Sequence, residues 1–199
     1  MEQLIRIFLP VYFIVYYFIF WRKSFIVYKS TGFNPYVFGK SESAHDYIGK
    51  FFKYITIFVL IAIVLYIAGE KYYRYLLPFF YLGINVLKII GLALQIISLF
   101  WIAMAQQQMK NSWRIGIDRV KKTELIQSGL FAYSRNPVFL GTIISLMGFF
   151  LIVPNAITLA ILSVGYVLIQ IQVRLEEEYL LNAHSESYIN YFRKVRRWI

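Results

Sequence analysis

The chain has 199 residues and no cysteine, which excludes disulfides, thiolate-held metals and a cysteine nucleophile. It has only two histidines, His45 and His184. Two imidazoles with no thiolate beside them are too few for a transition-metal site. No phosphate-binding loop and no dinucleotide glycine fingerprint is present. Charge is scarce as well: 16% of residues are Asp, Glu, Lys or Arg, against about 25% in ordinary soluble domains. Internal repeats and low-complexity segments are also missing. In place of these the chain is 59% hydrophobic and 20% aromatic, with several apolar runs near the ~20 residues that cross a hydrocarbon core.

The expected fold is therefore an all-α integral membrane domain of about five transmembrane helices, formed by residues 1–199 as a single unit. The first span runs from about Leu4 to Trp21, ended by Trp21, Arg22 and Lys23. The start, MEQLIRIFLP, lacks a small-residue cleavage site and reads as a retained helix. The second span runs from about Phe51 to Ala68, and the third from about Ile84 to Ala105, after Pro78 and Gly83. Asn136-Pro137 is a helix-start signal for the fourth, and Pro154-Asn155 turns the chain directly into the fifth. Val138 to Val153 would extend roughly 24 Å at 1.5 Å per residue, a short or tilted span. Gly141, Gly148, Ala160, Ser163 and Gly165 are small enough to let the two helices of this hairpin approach closely. After it, Tyr188, Tyr191 and Val195 recur at near-helical spacing, as the apolar face of a terminal amphipathic helix would.

Loop charges predict the orientation. Arg22, Lys23, Lys29, Lys40, Lys50 and Lys53 lie around the first loop. Lys110, Arg114, Arg119, Lys121, Lys122 and Arg135 follow the third span, and Arg174, Arg193, Lys194, Arg196 and Arg197 lie in the tail. The other side has Arg6, Lys71, Arg74 and Lys88. This asymmetry places the amino terminus outside and the carboxyl terminus in the cytoplasm. It also explains the net charge of +11 as topological, facing anionic lipid rather than nucleic acid. The loop over 22–50 holds Gly32, Pro35 and Gly39, then Ser43-Ala44-His45-Asp46, a capping pattern suggesting a short interfacial helix. His45 has no evident partner in the sequence. Such a loop is a connector or a lid over the same face.

Against this apolar background, Arg135, Asn136, Arg174, Glu176, Glu177, Glu178, His184, Tyr188 and Tyr191 gather at the two ends of one hairpin. Arg174, Glu177 and Glu178, at i, i+3 and i+4, share a helix face. That is the pattern of a helix-end salt-bridge cluster, and equally of an anion-binding arginine oriented by a carboxylate. Consecutive glutamates beside a span are costly without partners, which favours function. Gln106 to Gln108 and Trp113-Arg114 are polar groups at the same end of the third span, placed to line the same cavity.

The stretch GLFAYSRNPVFLG and, about forty residues after Arg135, RLEEEYLLNAHSESYINYFRKVRR together resemble the isoprenylcysteine carboxyl methyltransferase family. That family lies within a wider group that includes phospholipid methyltransferases. The resemblance covers Leu125 to Trp198 and extends back to Gln106. Phe131 stands where tyrosine is usual, Asn136 where histidine is, and Ser185 where glycine is. It implies an integral-membrane methyltransferase that uses S-adenosylmethionine, with residues 106–199 as the catalytic cassette behind three spans in 1–105. Tyr133, Arg135, Asn136, Pro137, Glu177, His184 and Tyr188 would bind the cofactor. Arg174 and Glu177 would be catalytic, and Gln106, Trp113 and Arg174 would face the acceptor. A lipophilic carboxylate is the favoured acceptor and needs no strong base; an amine or thiol would need Glu176 or Glu177 to take a proton. No metal is implied. Two other classes fit the composition: a steroid-reductase-like NADPH oxidoreductase, and a non-catalytic transporter or assembly protein.

Overall fold

The computed structural model describes residues 1–39, 42–118 and 122–199; Lys40, Arg119 and Lys121, counted above among the loop charges, lie outside them. Among the described residues the chain is helical, with two isolated backbone bridges. Four helices are long and apolar enough to cross a membrane: α1 (Glu2–Thr31), α2 (Ala44–Ile67), α4 (Asn85–Gln108) and α6 (Ala156–Lys194). A four-residue α3 (Glu70–Tyr73) follows α2, and α5 (Pro137–Ile152) is the shorter apolar helix.

Three boundaries differ from the sequence expectation. Helix α1 does not stop at Trp21; it continues to Thr31, where Gly32 takes a left-handed conformation (φ 72°) and its N–H bonds to the Tyr28 carbonyl. Trp21, Arg22 and Lys23 mark the edge of the apolar run, and nothing there breaks the backbone hydrogen bonding. Similarly, Ser43 accepts from the Asp46 N–H as the expected cap, but the helix it opens is continuous with the second span rather than a separate interfacial piece. Helix α6 carries on past its charge-free part, residues 156–173, as a polar extension. It bends at Ser185, whose φ of 47° is a conformation glycine adopts with least strain. The terminal helical segment expected around Tyr188 and Tyr191 lies beyond this kink.

The hairpin of α5 and α6 closes through Val153–Asn155. The Asn155 side chain accepts from the Thr158 N–H, and the Thr158 hydroxyl accepts from the Asn155 N–H, a reciprocal cap. The chain before α4 fastens this turn: Phe79 N–H donates to Pro154 O and Ala156 N–H to Leu77 O. Lys88 and Tyr66 both donate to Glu2 at the same end, joining the starts of α1 and α4 to the end of α2. The small residues are used differently from the expectation. Gly148 and Gly141 pack on α4 rather than on α6: a Cβ on Gly148 would stand 2.8 Å from the Gly91 carbonyl oxygen, and one on Gly141 would meet Ile102 at 2.5 Å. Gly165 does meet α5, through Leu146, whereas Ala160 and Ser163 are exposed. Glycines were available to both neighbours, and only the packing of α4 against α5 decided which they would serve.

Some polar side chains inside the bundle pair with one another, which lowers their cost in a bilayer. The Tyr12 hydroxyl lies 3.0 Å from Ser98 Oγ and 2.7 Å from Ser145 Oγ, linking α1, α4 and α5. Around this link the core is Ile5, Leu9, Phe13, Val59, Ile63, Phe149 and Ile152, with Phe13 and Phe149 edge to face at 5.2 Å. Overpacking a filled contact costs about 1–3 kcal/mol or more. Gly148→Leu is therefore expected to lower the melting temperature in detergent sharply or to prevent recovery of monodisperse protein. Ser163→Leu, on the exposed side of α6, should leave both unchanged.

Candidate functional site

The described segments 32–39, 109–118 and 122–136 and the tail all meet at the end of the bundle rich in Lys and Arg. The segment Pro35–Val37 pairs with Ile115 through two backbone hydrogen bonds. His45, without a partner in the sequence reading, accepts from the Ile117 N–H at 2.7 Å, stacks on Phe38 at 4.5 Å and lies 3.2 Å from Asp46. The sequence could not show this because His45 and Ile117 are 72 residues apart. The first loop is thereby docked on the third.

The centre of this face is Glu177. Its Oε1 accepts from Arg135 Nε at 3.1 Å and Nη2 at 3.0 Å, and from Asn136 Nδ2 at 3.2 Å. Its Oε2 accepts from Arg197 Nη2 at 2.7 Å and Nε at 3.1 Å. Burial alone would raise this carboxyl, but the hydrogen bonds and charges of Arg197 and Arg135 outweigh it and hold the group below the ordinary carboxylate range. Arg135 also donates from Nη1 to the carbonyls of Val195 (2.6 Å) and Phe192 (3.2 Å), with its guanidinium 4.1 Å from the Phe192 ring centre. The Arg135 N–H donates to Arg196 O, Ser134 Oγ to Arg197 O, and the Tyr191 hydroxyl to Phe131 O at 2.7 Å. The tail is thus strapped across the start of α5.

Two cavities flank this knot. The larger, about 440 Å³, is walled by aromatic and aliphatic side chains of α1, α2, α5 and α6, among them Phe13, Tyr16, Phe20, Phe52, Val138, Leu146 and Ile169. The smaller, about 110 Å³, is the more polar of the two: Arg114, Asp118, Glu124, Arg135 and Glu176 line it together with Phe131, Tyr179, Tyr191 and several aliphatic side chains. Met109, Arg114, Gly116, Phe131, Arg135, Glu176 and Leu180 belong to both, so the two share a wall.

Of the residues singled out from sequence, Arg135, Asn136 and Glu177 are brought into direct contact. Pro137, the first residue of α5, lines the larger cavity, as do Asn136 and Trp113, whose indole donates to Ser24 Oγ. Tyr188 is buried beside Tyr191 and within the influence of the Arg135 guanidinium, with no well-formed hydrogen bond to its hydroxyl among the described residues. Gln106 is buried, with neither amide atom hydrogen-bonded among the described residues, and lines neither cavity. Tyr133 is 70% exposed. His184 is half-buried near Lys122 and Thr123, and burial together with the Lys122 charge lowers its imidazole below the ordinary value. Arg174 donates to Gln170 O and Oε1 at 2.7 and 2.9 Å and lines neither cavity. Sequence reasoning missed Arg197 as a partner of Glu177, since nothing local marks one tail arginine among several. It also missed Lys53 as a cavity-lining cation, whereas Arg114, expected beside Trp113 to line the cavity, does line it.

Removing one partner of a buried, hydrogen-bonded charge costs about 3–5 kcal/mol, and less when solvent can take the partner's place. Arg135→Ala strips two donors from Glu177 and two from the tail carbonyls. It should lower thermal stability in detergent well beyond Arg197→Ala, whose side chain is 29% exposed. Because the Glu177 carboxyl is depressed on folding, its contribution is present above the ordinary carboxylate pKa and lost as pH falls through the lower folded value. Acid melting of the wild-type protein should show that loss, and Glu177→Gln should remove it.

A family model described as phospholipid methyltransferase matches residues 86–187, which takes in α4, α5 and α6 to just past the Ser185 kink. Comparison with curated proteins gave no match.

Proposed function

The chain belongs to the phospholipid methyltransferase family, and from that premise we propose that it is an S-adenosylmethionine-dependent membrane methyltransferase acting on a lipophilic acceptor at the cytoplasmic face. The observation that carries this reading is the pair of adjoining cavities, the smaller the more polar of the two, sharing the wall that contains Arg135 and Glu176. The donor set of the more polar cavity suits the cofactor. Carboxylates of Asp118, Glu124 and Glu176 match cationic groups, Arg114 matches a carboxylate, and Phe131, Tyr179 and Tyr191 offer aromatic faces to a planar base. When bound, S-adenosylmethionine supplies a methyl group already activated by a sulfonium. The protein's task is then chiefly positioning, and what the residues do here is align two ligands and keep water away.

In this reading Arg135 and Asn136 form a fixed partition, held rigid by Glu177, between cofactor and acceptor. Pro137, Val138 and Trp113 shape the acceptor's side, and Tyr188 backs the partition from the terminal helix. The apolar cavity lies among α1, α2, α5 and α6, so an acceptor carrying an acyl or prenyl chain would enter it from the bilayer. A carboxylate acceptor, and with it an isoprenylcysteine-like activity, needs a cationic anchor. Arg174 was the sequence candidate, yet it is engaged with Gln170 outside both cavities; Lys53, Arg114 and Arg135 are the cations on the cavity wall, Arg135 being committed to Glu177.

Purified protein is expected to bind S-adenosylmethionine or S-adenosylhomocysteine by calorimetry. Asn136→Ala should weaken binding, and Arg174→Ala should leave it within about twofold, as expected for an exposed polar pair. Absence of binding to either compound, with saturable binding of NADPH, would overturn the proposal in favour of a reductase. The orientation is tested separately. The natural chain has no cysteine to interfere, so single cysteines at Ser43, Ser128 and Ser187 should resist an impermeant reagent on intact cells while one at Glu70 reacts. Efficient labelling at Ser128 from outside would reverse the assignment.

A further inference from the structure

The two ends of the apolar cavity are built differently. Toward the basic face its lining includes exposed Lys53 and half-buried Phe20, Phe52 and Val138. The other end is formed by Phe13, Val59, Ser145 and Leu146, none more than 8% exposed. Past these residues come Leu9, Ile63, Phe149 and Ile152 of the packed core, which do not line the cavity. The compartment is a well with a floor.

The sides are tied shut one turn above that floor. Tyr16 stands three residues beyond Phe13 on α1, Thr142 three before Ser145 on α5, and Thr56 three before Val59 on α2; all line the cavity. The Thr142 hydroxyl donates to the Val138 carbonyl, so the Tyr16 hydroxyl, 3.2 Å away, donates to Thr142 and joins α1 to α5. Tyr17 faces Thr56 and joins α1 to α2. On the remaining side α2, α5 and α6 converge on Gly165, where a Cβ would stand 2.7 Å from Leu146 Cδ1 and 3.7 Å from Ile55 Cδ1. Below these contacts a tail would be enclosed by protein, with no side exit into lipid.

The floor is also fixed. Ser145 is held by the Tyr12 hydroxyl at 2.7 Å, Tyr12 in turn by Ser98 at 3.0 Å, and Ser98 donates to the Gln95 carbonyl at 2.8 Å. Phe13 is seated edge to face on Phe149. Close-packed interiors of this kind yield little to an intruding group. Ser145 lies nine residues along α5 from Asn136, about 13.5 Å at 1.5 Å per residue. An extended hydrocarbon advances about 1.25 Å per carbon, from bonds near 1.5 Å and angles near 111°.

We infer that the lower part of this cavity is a closed well that measures the acceptor's tail, taking about 11 carbons below the level of Asn136 and discriminating against longer chains, with Tyr12 as the residue that positions its floor. This rests on the reading of the cavity as the acceptor's compartment. The limit is set by the floor and not by the head, so it applies whatever group receives the methyl.

The test uses full-length protein in lipid nanodiscs offered equal amounts of straight-chain probes of eight to eighteen carbons, in two series, n-alkylamines and n-alkanoates. Bound probe is counted by native mass spectrometry. A bilayer is as apolar as the well, so retention should be nearly flat among short chains. It should then fall about tenfold for chains that reach past the floor, the cost of overpacking a filled contact. The break should come at the same chain length in both series. Val59→Ala, which deepens the floor, should move it about one carbon longer, and Leu146→Phe should move it shorter. Tyr12→Phe, which keeps the ring and removes the tie, should blunt the break; monodisperse elution identifies the variants that fold. If eighteen-carbon chains are held as well as ten-carbon ones, or if the break stays where it is in folded Val59→Ala and Leu146→Phe, the inference fails. Binding of S-adenosylhomocysteine by the wild-type protein then leaves the methyltransferase reading standing. If wild type binds neither S-adenosylmethionine nor S-adenosylhomocysteine, the well is not an acceptor compartment and both fail together.

Discussion

Everything on the basic face depends on one buried carboxylate being fully paired. A charge like that of Glu177 is several kcal/mol too costly to bury unless its lone pairs are met. Here they are met by donors from the start of α5 and from the far end of the tail. The pairing does more than neutralise. Arg135 uses its remaining donors on the Phe192 and Val195 carbonyls, so the carboxylate, the opening of α5 and the terminal residues are fixed by a single guanidinium. A lysine could not do this, because it lacks the planar fork that addresses a carboxylate and backbone oxygens together.

That knot is positioned by the hairpin. The reciprocal Asn155–Thr158 cap and the backbone bonds from Leu77 and Phe79 fix the far turn. The glycines of α5 seat it on α4, with Gly91 and Gly148 in backbone contact. With one end pinned and one face locked, Asn136 at the other end has little freedom relative to α6. Precision of this kind is what aligning two ligands requires, and rigid helices supply it better than loops.

The family match covers α4, α5 and most of α6 but not α1 or α2. The shared wall containing Arg135 and Glu176 is therefore built by the matched part. Much of the apolar cavity comes from Phe13, Tyr16, Phe20, Phe52 and Val59, which lie before it. On the proposed reading, the matched part carries the methyl-transfer chemistry and the compartment before it takes the acceptor's lipophilic part. The first loop, docked on residues 115–117 through His45 and the Tyr36–Ile115 bridge, joins that compartment to the cassette.

The apolar runs by themselves determined that this is a helical membrane protein with a tight final hairpin, because bilayer burial acts on local composition and a helix satisfies its own backbone. Asn136-Pro137, Ser43 and Pro154-Asn155 likewise marked helix starts and a turn through local rules, although the Asn136 side chain turns to Glu177 rather than capping α5, and the motif named Arg135 and Glu177, which the fold brings into contact. Tertiary structure decided what local rules do not reach. It carried α1 ten residues beyond its apolar edge, turned the α5 glycines toward α4, and gave His45 a partner 72 residues away. It also sorted three adjacent glutamates into a clamp, a cavity wall and an exposed position. Neighbouring residues on a helix face different directions, and only the elements packed against α6 determine which of them meets an arginine, a cavity or the surface.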